Sequence, residues 1–140
     1  MHAEVIRGIT VRPLRNGESA AVQAVFDQLG PRSRLLRFHG AKNVLTEADL
    51  AALARVDETH HVLVALVDGR PIGIARLVRE ADTAEVAFAV GDEWQGRGVG
   101  TILVERLRKD ARAAGIRHFR ADVMPENAPG QALARRLEAA

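Results

Sequence analysis

No cysteine occurs in this chain. Disulfides, a thiol nucleophile and cysteine-ligated zinc are therefore excluded. Tyrosine is absent too, so no phenol can act as an acid, and tryptophan occurs once. Lysine is reduced to Lys42 and Lys109, with arginine supplying nearly all the basic charge. That bias fits either genome composition or avoidance of self-acylation. The longest unbroken apolar run, residues 62–67, is far short of the ~20 residues that cross a bilayer. No basic-then-apolar leader opens the sequence, so cytoplasm is the expected compartment and no membrane is expected as partner. The net charge of +2 is too small for a general polyanion binder, and scattered Arg7, Arg12 and Arg15 make no nucleic-acid stripe.

What is present describes a globular domain. Apolar residues make up 47% of the 140 residues and both charge signs are mixed, which is the composition of a chain that can bury a core. One domain over 1–140 is expected. Residues 9–12 read as a first strand ended by Pro13. Asn16 is a candidate cap for a helix carrying Val22, Val25, Phe26 and Leu29 on one face. Gly30-Pro31 is expected to stop it, with 31–43 irregular. Thr46-x-x-Asp49 resembles a capping box opening a second helix. The period then changes. Residues 61–67 are a β-rich run, Asp68-Gly69 a hairpin turn, 72–78 a returning strand, and 83–90 a third strand after a turn at Ala81-Asp82. A helix from Thr101, ended by Gly115 as left-handed cap, a strand at 118–123, a loop at 125–129 and a helix at 130–138 complete the order β-α-α-β-β-β-α-β-α. This is an α/β (α+β) pattern.

The most informative stretch is Gln95-Gly96-Arg97-Gly98-Val99-Gly100, between a strand and a helix. Alternate glycines let the chain turn and leave N–H groups uncovered. The following helix N-terminus offers orphan donors and partial positive charge, which together suit a phosphate or pyrophosphate. A P-loop fits poorly because no Gly-Lys-Ser/Thr ends the run. A dinucleotide fingerprint fits poorly with the G-x-G-x-G spacing and the antiparallel-looking strands before it.

Gln95, Gly98 and Gly100 match Q-x-x-G-x-G/A, and so the run resembles the acyl-CoA pyrophosphate loop of the GNAT acetyltransferases. The element order is similar to that fold as far as its fourth helix. There the chain stops where the family usually continues into two more strands, which raises the expectation of an excised or truncated domain, or of a partner at that edge. Ser33-Arg34-Leu35-Leu36-Arg37-Phe38, Ala84-Glu85-Val86-Ala87-Phe88, Trp94-Gln95-Gly96-Arg97-Gly98 and Pro125-Glu126-Asn127 resemble the acetyltransferase domains of Pat-type protein lysine acetyltransferases. Those enzymes modify a lysine of AMP-forming acyl-CoA synthetases. The resemblance implies acetyl-CoA as cosubstrate, no metal, and a protein as acceptor.

Strand alternation puts Glu85, Ala87 and Ala89 on one face and Val86, Phe88 and Val90 on the other. A carboxylate beside two small residues leaves room for a ligand, and partial burial would raise its pKa. A solvent-facing strand glutamate has the same pattern. The resemblance assigns Glu85 the role of general base. It also implies cofactor contacts from Phe88, Ala89 and Val90 to the pantetheine, from Gln95, Gly96, Arg97, Gly98, Val99, Gly100 and Thr101 to the pyrophosphate, and from Asn127 in the later loop. Many GNAT enzymes protonate the leaving thiolate with a tyrosine, which this chain lacks. Thiols have pKa ~8.5, so water suffices, with Glu126 as reserve acid. Arg32, Arg34, Arg37 and Lys42 suggest a docking rim for a protein.

Two rivals stand beside a protein lysine acetyltransferase. One is an enzyme acetylating a small amine or antibiotic in a closed pocket. The other is a non-catalytic acyl-CoA-binding regulatory module, which needs the glycine loop but no base. His60-His61 does not suggest a metal, because adjacent strand residues face opposite ways. Trp94 is expected to be a packing anchor.

Overall fold

The computed structural model describes residues 8–38, 44–121, 123 and 127–138. Five strands form one sheet in the order β1-β2-β3-β4-β5: β1 (Ile9–Pro13), β2 (His60–Val67), β3 (Arg70–Glu80), β4 (Thr83–Val90) and β5 (His118–Ala121). Neighbours are antiparallel except β4 and β5, which run parallel. The position of β2, an interior strand paired on both edges, explains the unbroken apolar run. Leu63 and Ala65 enter the core under one face, while Val62, Val64 and Leu66 enter the core under the other, so both faces must be apolar.

The helices divide between the two faces. α4 (Val99–Ala113) and α5 (Ala128–Glu138) cover one, with Leu103, Leu107 and Leu137 buried against the sheet. α1 (Ser19–Asp27) and α3 (Glu47–Leu53) cover the other, with Val22, Phe26 and Ala54 buried. Between them lies α2 (Pro31–Phe38). The β2–β3 hairpin turns on Asp68 (φ 50°) and Gly69 (φ 77°), the pair of left-handed residues that a type I′ turn demands. Gly73 lets the first turn of α4 lie close to the sheet: a Cβ there would stand 3.2 Å from both Leu103 Cδ1 and Val99 Cγ1.

The sequence misplaces three local features. Residues 31–38 are helical, not irregular. Pro31 starts α2 instead of merely stopping α1, because a proline at the first helical position gives up no bond. Asn16 does not cap α1. Its Oδ1 accepts the Val56 N–H at 2.9 Å, and the cap position falls on Glu18. Val123, expected as the end of the fifth strand, is not in a strand; the described strand is His118–Ala121. The capping box of α3 is present in both directions, between Thr46 and Asp49. Gly115, at φ 85°, follows α4 as expected.

Glu18 ties β1 to the start of α1. Arg12 donates to both its oxygens, at 3.0 and 2.6 Å. That hydrogen bond, aided by the Arg15 N–H, holds the Glu18 carboxyl down at about 2. A depressed carboxylate stabilises the fold above its ordinary value near 4.5, and that contribution is lost as pH falls toward about 2. Glu18→Gln is therefore expected to melt below the wild type at pH 7, with the gap closing as melts are repeated from pH 4.5 down. A constant gap across that range would mean that the ion pair is not its source.

Candidate active site

The parallel pairing of β4 with β5 runs from Thr83 with His118 to Val86 with Ala121. Beyond Val86, β4 continues to Val90 with no strand at that side among the described residues. A groove of about 250 Å³ opens there. Val86 to Val90 form its floor, with Val123, Asn127 and the start of α5 on one side and Leu29, Arg32, Ser33 and Gln95 on the other. Five residues expected from the sequence thus meet in one place: Phe88, Ala89, Val90, Gln95 and Asn127. Among the described residues the floor is an unpaired strand edge, which an extended ligand can pair as an added strand.

Gly96, Arg97, Gly98, Val99, Gly100 and Thr101 follow Gln95 directly but do not line the groove itself. Gly96 and Gly98 have φ of 75° and 90°, a conformation that favours glycine. A Cβ on Gly96 would meet nothing within 4 Å, so its backbone lies open. Gly98 caps α4. The first intrahelical bond closes from Ile102 N–H to Gly98 O at 3.0 Å, so helix geometry gives Val99, Gly100 and Thr101 N–H no intrahelical acceptor. No acidic residue stands in that first turn. Such an arrangement can serve as an anion cradle. The Val99 side chain is core, 1% exposed, and only its backbone is available. Gly100 serves packing: a Cβ would stand 2.9 Å from Leu133 Cδ1 on α5.

Several side chains are already engaged. Gln95 Nε2 donates to Val90 O at 3.0 Å. Arg97 lies over Trp94, 5.0 Å from the ring centroid, and Trp94 packs against the core as expected. Asn127 is more than a turn residue. Its Oδ1 accepts the Gly130 N–H at 3.0 Å, which makes it the cap of α5. Leu29, Arg32, Ser33, Val123 and Leu133 line the groove without having been singled out for it. They come from segments far apart in sequence; the only signals were the Pat-like run for Ser33 and the docking-rim reading for Arg32.

Glu85 sits on the expected face, one step before Ala87 and outside the groove lining. Two residues of strand separate them by about 6–7 Å. The burial expected for it is absent: its side chain is 53% exposed, and Arg120 Nη2 lies 3.6 Å from Oε2. On its other side is Arg76 of β3, which pairs with Ala87 and so shares the face. Burial pulls the Arg76 guanidinium below its ordinary value, and the Glu85 charge opposes that shift. Arg76 Nη2 reaches Ala52 O at 3.4 Å, while Nε is buried without a hydrogen-bond partner.

The docking rim is corrected at Arg34. Its guanidinium stacks 4.1 Å from the Phe26 ring centroid and donates to Phe26 O at 3.3 Å. Arg32 faces the groove. Lys42 and Glu126 lie outside the described residues, and so does the side chain of Arg37. His60 bonds Asp57 and His61 bonds Asp110, at 2.9 and 3.0 Å, on opposite faces. Among the described residues no cluster could hold a metal ion, and no helix is long and apolar enough to cross a membrane.

The model of the acetyltransferase (GNAT) family matches residues 24–138. The chain belongs to the GNAT family. Its fold superposes on the GNAT domain of S. lividans PAT with a TM-score of 0.84, at 30% identity over 91% of this chain and 78% of that one. Acetyltransferase Pat of Mycolicibacterium smegmatis is 41% identical over 88 residues, 59% of this chain and 26% of that protein. An acetyltransferase of Pseudomonas aeruginosa is 32% identical over 120 residues, 81% of this chain and 64% of that protein. The chain thus spans a quarter to two thirds of the curated relatives it matches. A GNAT domain uses acetyl-CoA as cosubstrate. The groove along β4 and, just after Gln95, a helix N-terminus with open glycine backbone offer room and N–H donors to an extended, phosphate-bearing ligand.

Proposed function

We propose that this GNAT domain transfers an acetyl group from acetyl-CoA to the side-chain amine of a protein lysine, by direct attack in a ternary complex. The observation that carries the proposal is the placement of Glu85 on the open face of β4, one step before the groove floor at Ala87. Acetyl-CoA would lay its pantetheine along Phe88 to Val90 and its pyrophosphate on the N–H groups of 96–101, with Arg97 and Asn127 beside it. The groove that would take it is the one along β4 from Val86 to Val90.

Acyl transfer needs a neutral amine. At pH 7 the neutral form of free lysine costs roughly 4.6 kcal/mol, and a positioned carboxylate recovers much of that cost. Glu85 takes the ammonium proton, through a water given its distance from the groove. The amine nitrogen attacks the thioester carbonyl carbon, the nitrogen of the tetrahedral intermediate gives its extra proton to water, and collapse to the amide breaks the C–S bond. The coenzyme A thiolate takes a proton from water, since the chain has no tyrosine and thiolate is a stable leaving group.

A half-exposed base suits a lysine carried on the surface of a large partner better than a free amine held in a closed pocket. Pat-named relatives and the Pat-like motifs support an AMP-forming acyl-CoA synthetase as the acceptor, in the cytoplasm. An assay with labelled acetyl-CoA against folded synthetases, free lysine and spermidine tests this. One synthetase lysine should be modified far faster than either small amine. Efficient acetylation of a small amine with no synthetase modified would establish the first rival, and binding without turnover on any acceptor would establish the second.

A further inference from the structure

Asp92 stands where three segments cross. It opens the short 3-10 turn Asp92–Trp94 between β4 and the glycine loop. Its Oδ2 accepts the Gly30 N–H at 2.9 Å, and its Oδ1 accepts the Ser33 hydroxyl at 2.6 Å. Its own N–H donates to Gln28 O at 3.0 Å. Gln95 Nε2 joins the cluster, 3.4 Å from Ser33 Oγ and 3.5 Å from Asp92 Oδ1. Gln28 anchors the other end: its Nε2 donates to Pro71 O at 2.7 Å. There β2 and β3 change register beside Ile72, and Ile72 O in turn accepts the Gly91 N–H at 2.8 Å.

This carboxylate sits at the start of α2, where Arg34 N–H closes the first turn on Gly30 O at 3.0 Å. Negative charge is favoured there. The approach requires glycine, because a Cβ on residue 30 would stand 2.7 Å from Asp92 Oδ2. The first turn of α2 supplies Arg32 and Ser33 to the groove, opposite the β4 floor. Asp92 therefore joins one wall of the groove to its floor, immediately before the anion cradle.

We propose that Asp92 is a positioning residue, which fixes the first turn of α2 over the end of β4 and so sets the width of the groove for an acyl-CoA. This rests on the acyl-CoA reading of the groove. Its hydrogen bonds to Gly30 and Ser33 are at the surface, so water can replace them without unfolding the chain. What is lost is the placement of the wall.

The test is calorimetry with acetyl-CoA, alongside steady-state kinetics, on the wild type, Asp92→Asn, Gly30→Ala and the double variant. Asp92→Asn is expected to weaken acetyl-CoA binding about tenfold, the scale of one charge-assisted hydrogen bond. The KM for acetyl-CoA should rise in step while kcat at saturation falls much less. Gly30→Ala should reproduce the effect from the other side of the contact. The double variant should be no worse than the weaker single one, since both break the same contact. Ser33→Ala removes a single bond and serves if Asp92→Asn does not fold; it should weaken binding by a smaller factor. A wild type that does not bind acetyl-CoA overturns the acyl-CoA reading itself. A wild type that binds, with Gly30→Ala and the folded member of the other two variants binding equally well, overturns the positioning role. So does a loss confined to kcat.

Discussion

Glu85→Gln lowers turnover at neutral pH by on the order of 10²-fold or more, while acetyl-CoA affinity stays at the wild-type level. Glutamine keeps the shape of the side chain and removes its capacity to take a proton. The change also removes the charge that faces Arg76. The residue is half exposed, its contact with Arg120 is 3.6 Å, and exposed ion pairs add little to stability. Affinity is spared because Glu85 lies outside the groove lining. Raising the pH should restore part of the rate, since free lysine then deprotonates without help. Initial rates from pH 6.5 to 9.5, with calorimetry on the same samples, check the pattern. Near-normal turnover at neutral pH would remove Glu85 from the mechanism and send the search for a base to Glu126.

Gly98→Glu abolishes acetyl-CoA binding, which in the wild type is expected in the micromolar range. Two effects act together. Residue 98 has φ 90°, and a residue with a Cβ held in such a conformation costs about 1–3 kcal/mol. The second effect is electrostatic. The new carboxylate would occupy the N-terminus of α4 and accept the very N–H groups that would hold the pyrophosphate. Gly98→Ala separates the two, carrying the strain without the charge, and should bind with intermediate affinity. Calorimetry that gave wild-type affinity for the glutamate variant would sink the assignment of the loop.

How much of this was legible in sequence depends on the range of the interaction. The hairpin at Asp68-Gly69, the capping box at Thr46 and the cap at Gly115 are local, and a few residues encode each of them. The face shared by Glu85, Ala87 and Ala89 follows from strand period alone. Contacts between distant segments were not legible. Gly30-Pro31 looks like a stop, yet the glycine is there to admit Asp92, 62 residues away, and the proline begins a helix. Asn16 has the chemistry of a helix cap, but Val56 takes its oxygen. Arg34 looked like a docking charge until Phe26 was found beneath it. The groove is the extreme case. It lies along β4 between Val86, the last residue whose pairing with β5 is described, and Val90, and no residue type announces such a place.

Trp94 gives the molecule a built-in optical probe. It is the chain's one tryptophan, and there is no tyrosine to compete with it for excitation. Arg97 rests over its ring at 5.0 Å, in the loop that would receive the pyrophosphate. A ligand that drew the guanidinium off the indole would change the charge felt by the excited state, and with it the emission colour and intensity. Occupancy of the cradle could then be followed in real time by intrinsic fluorescence, with no label and from a single known position.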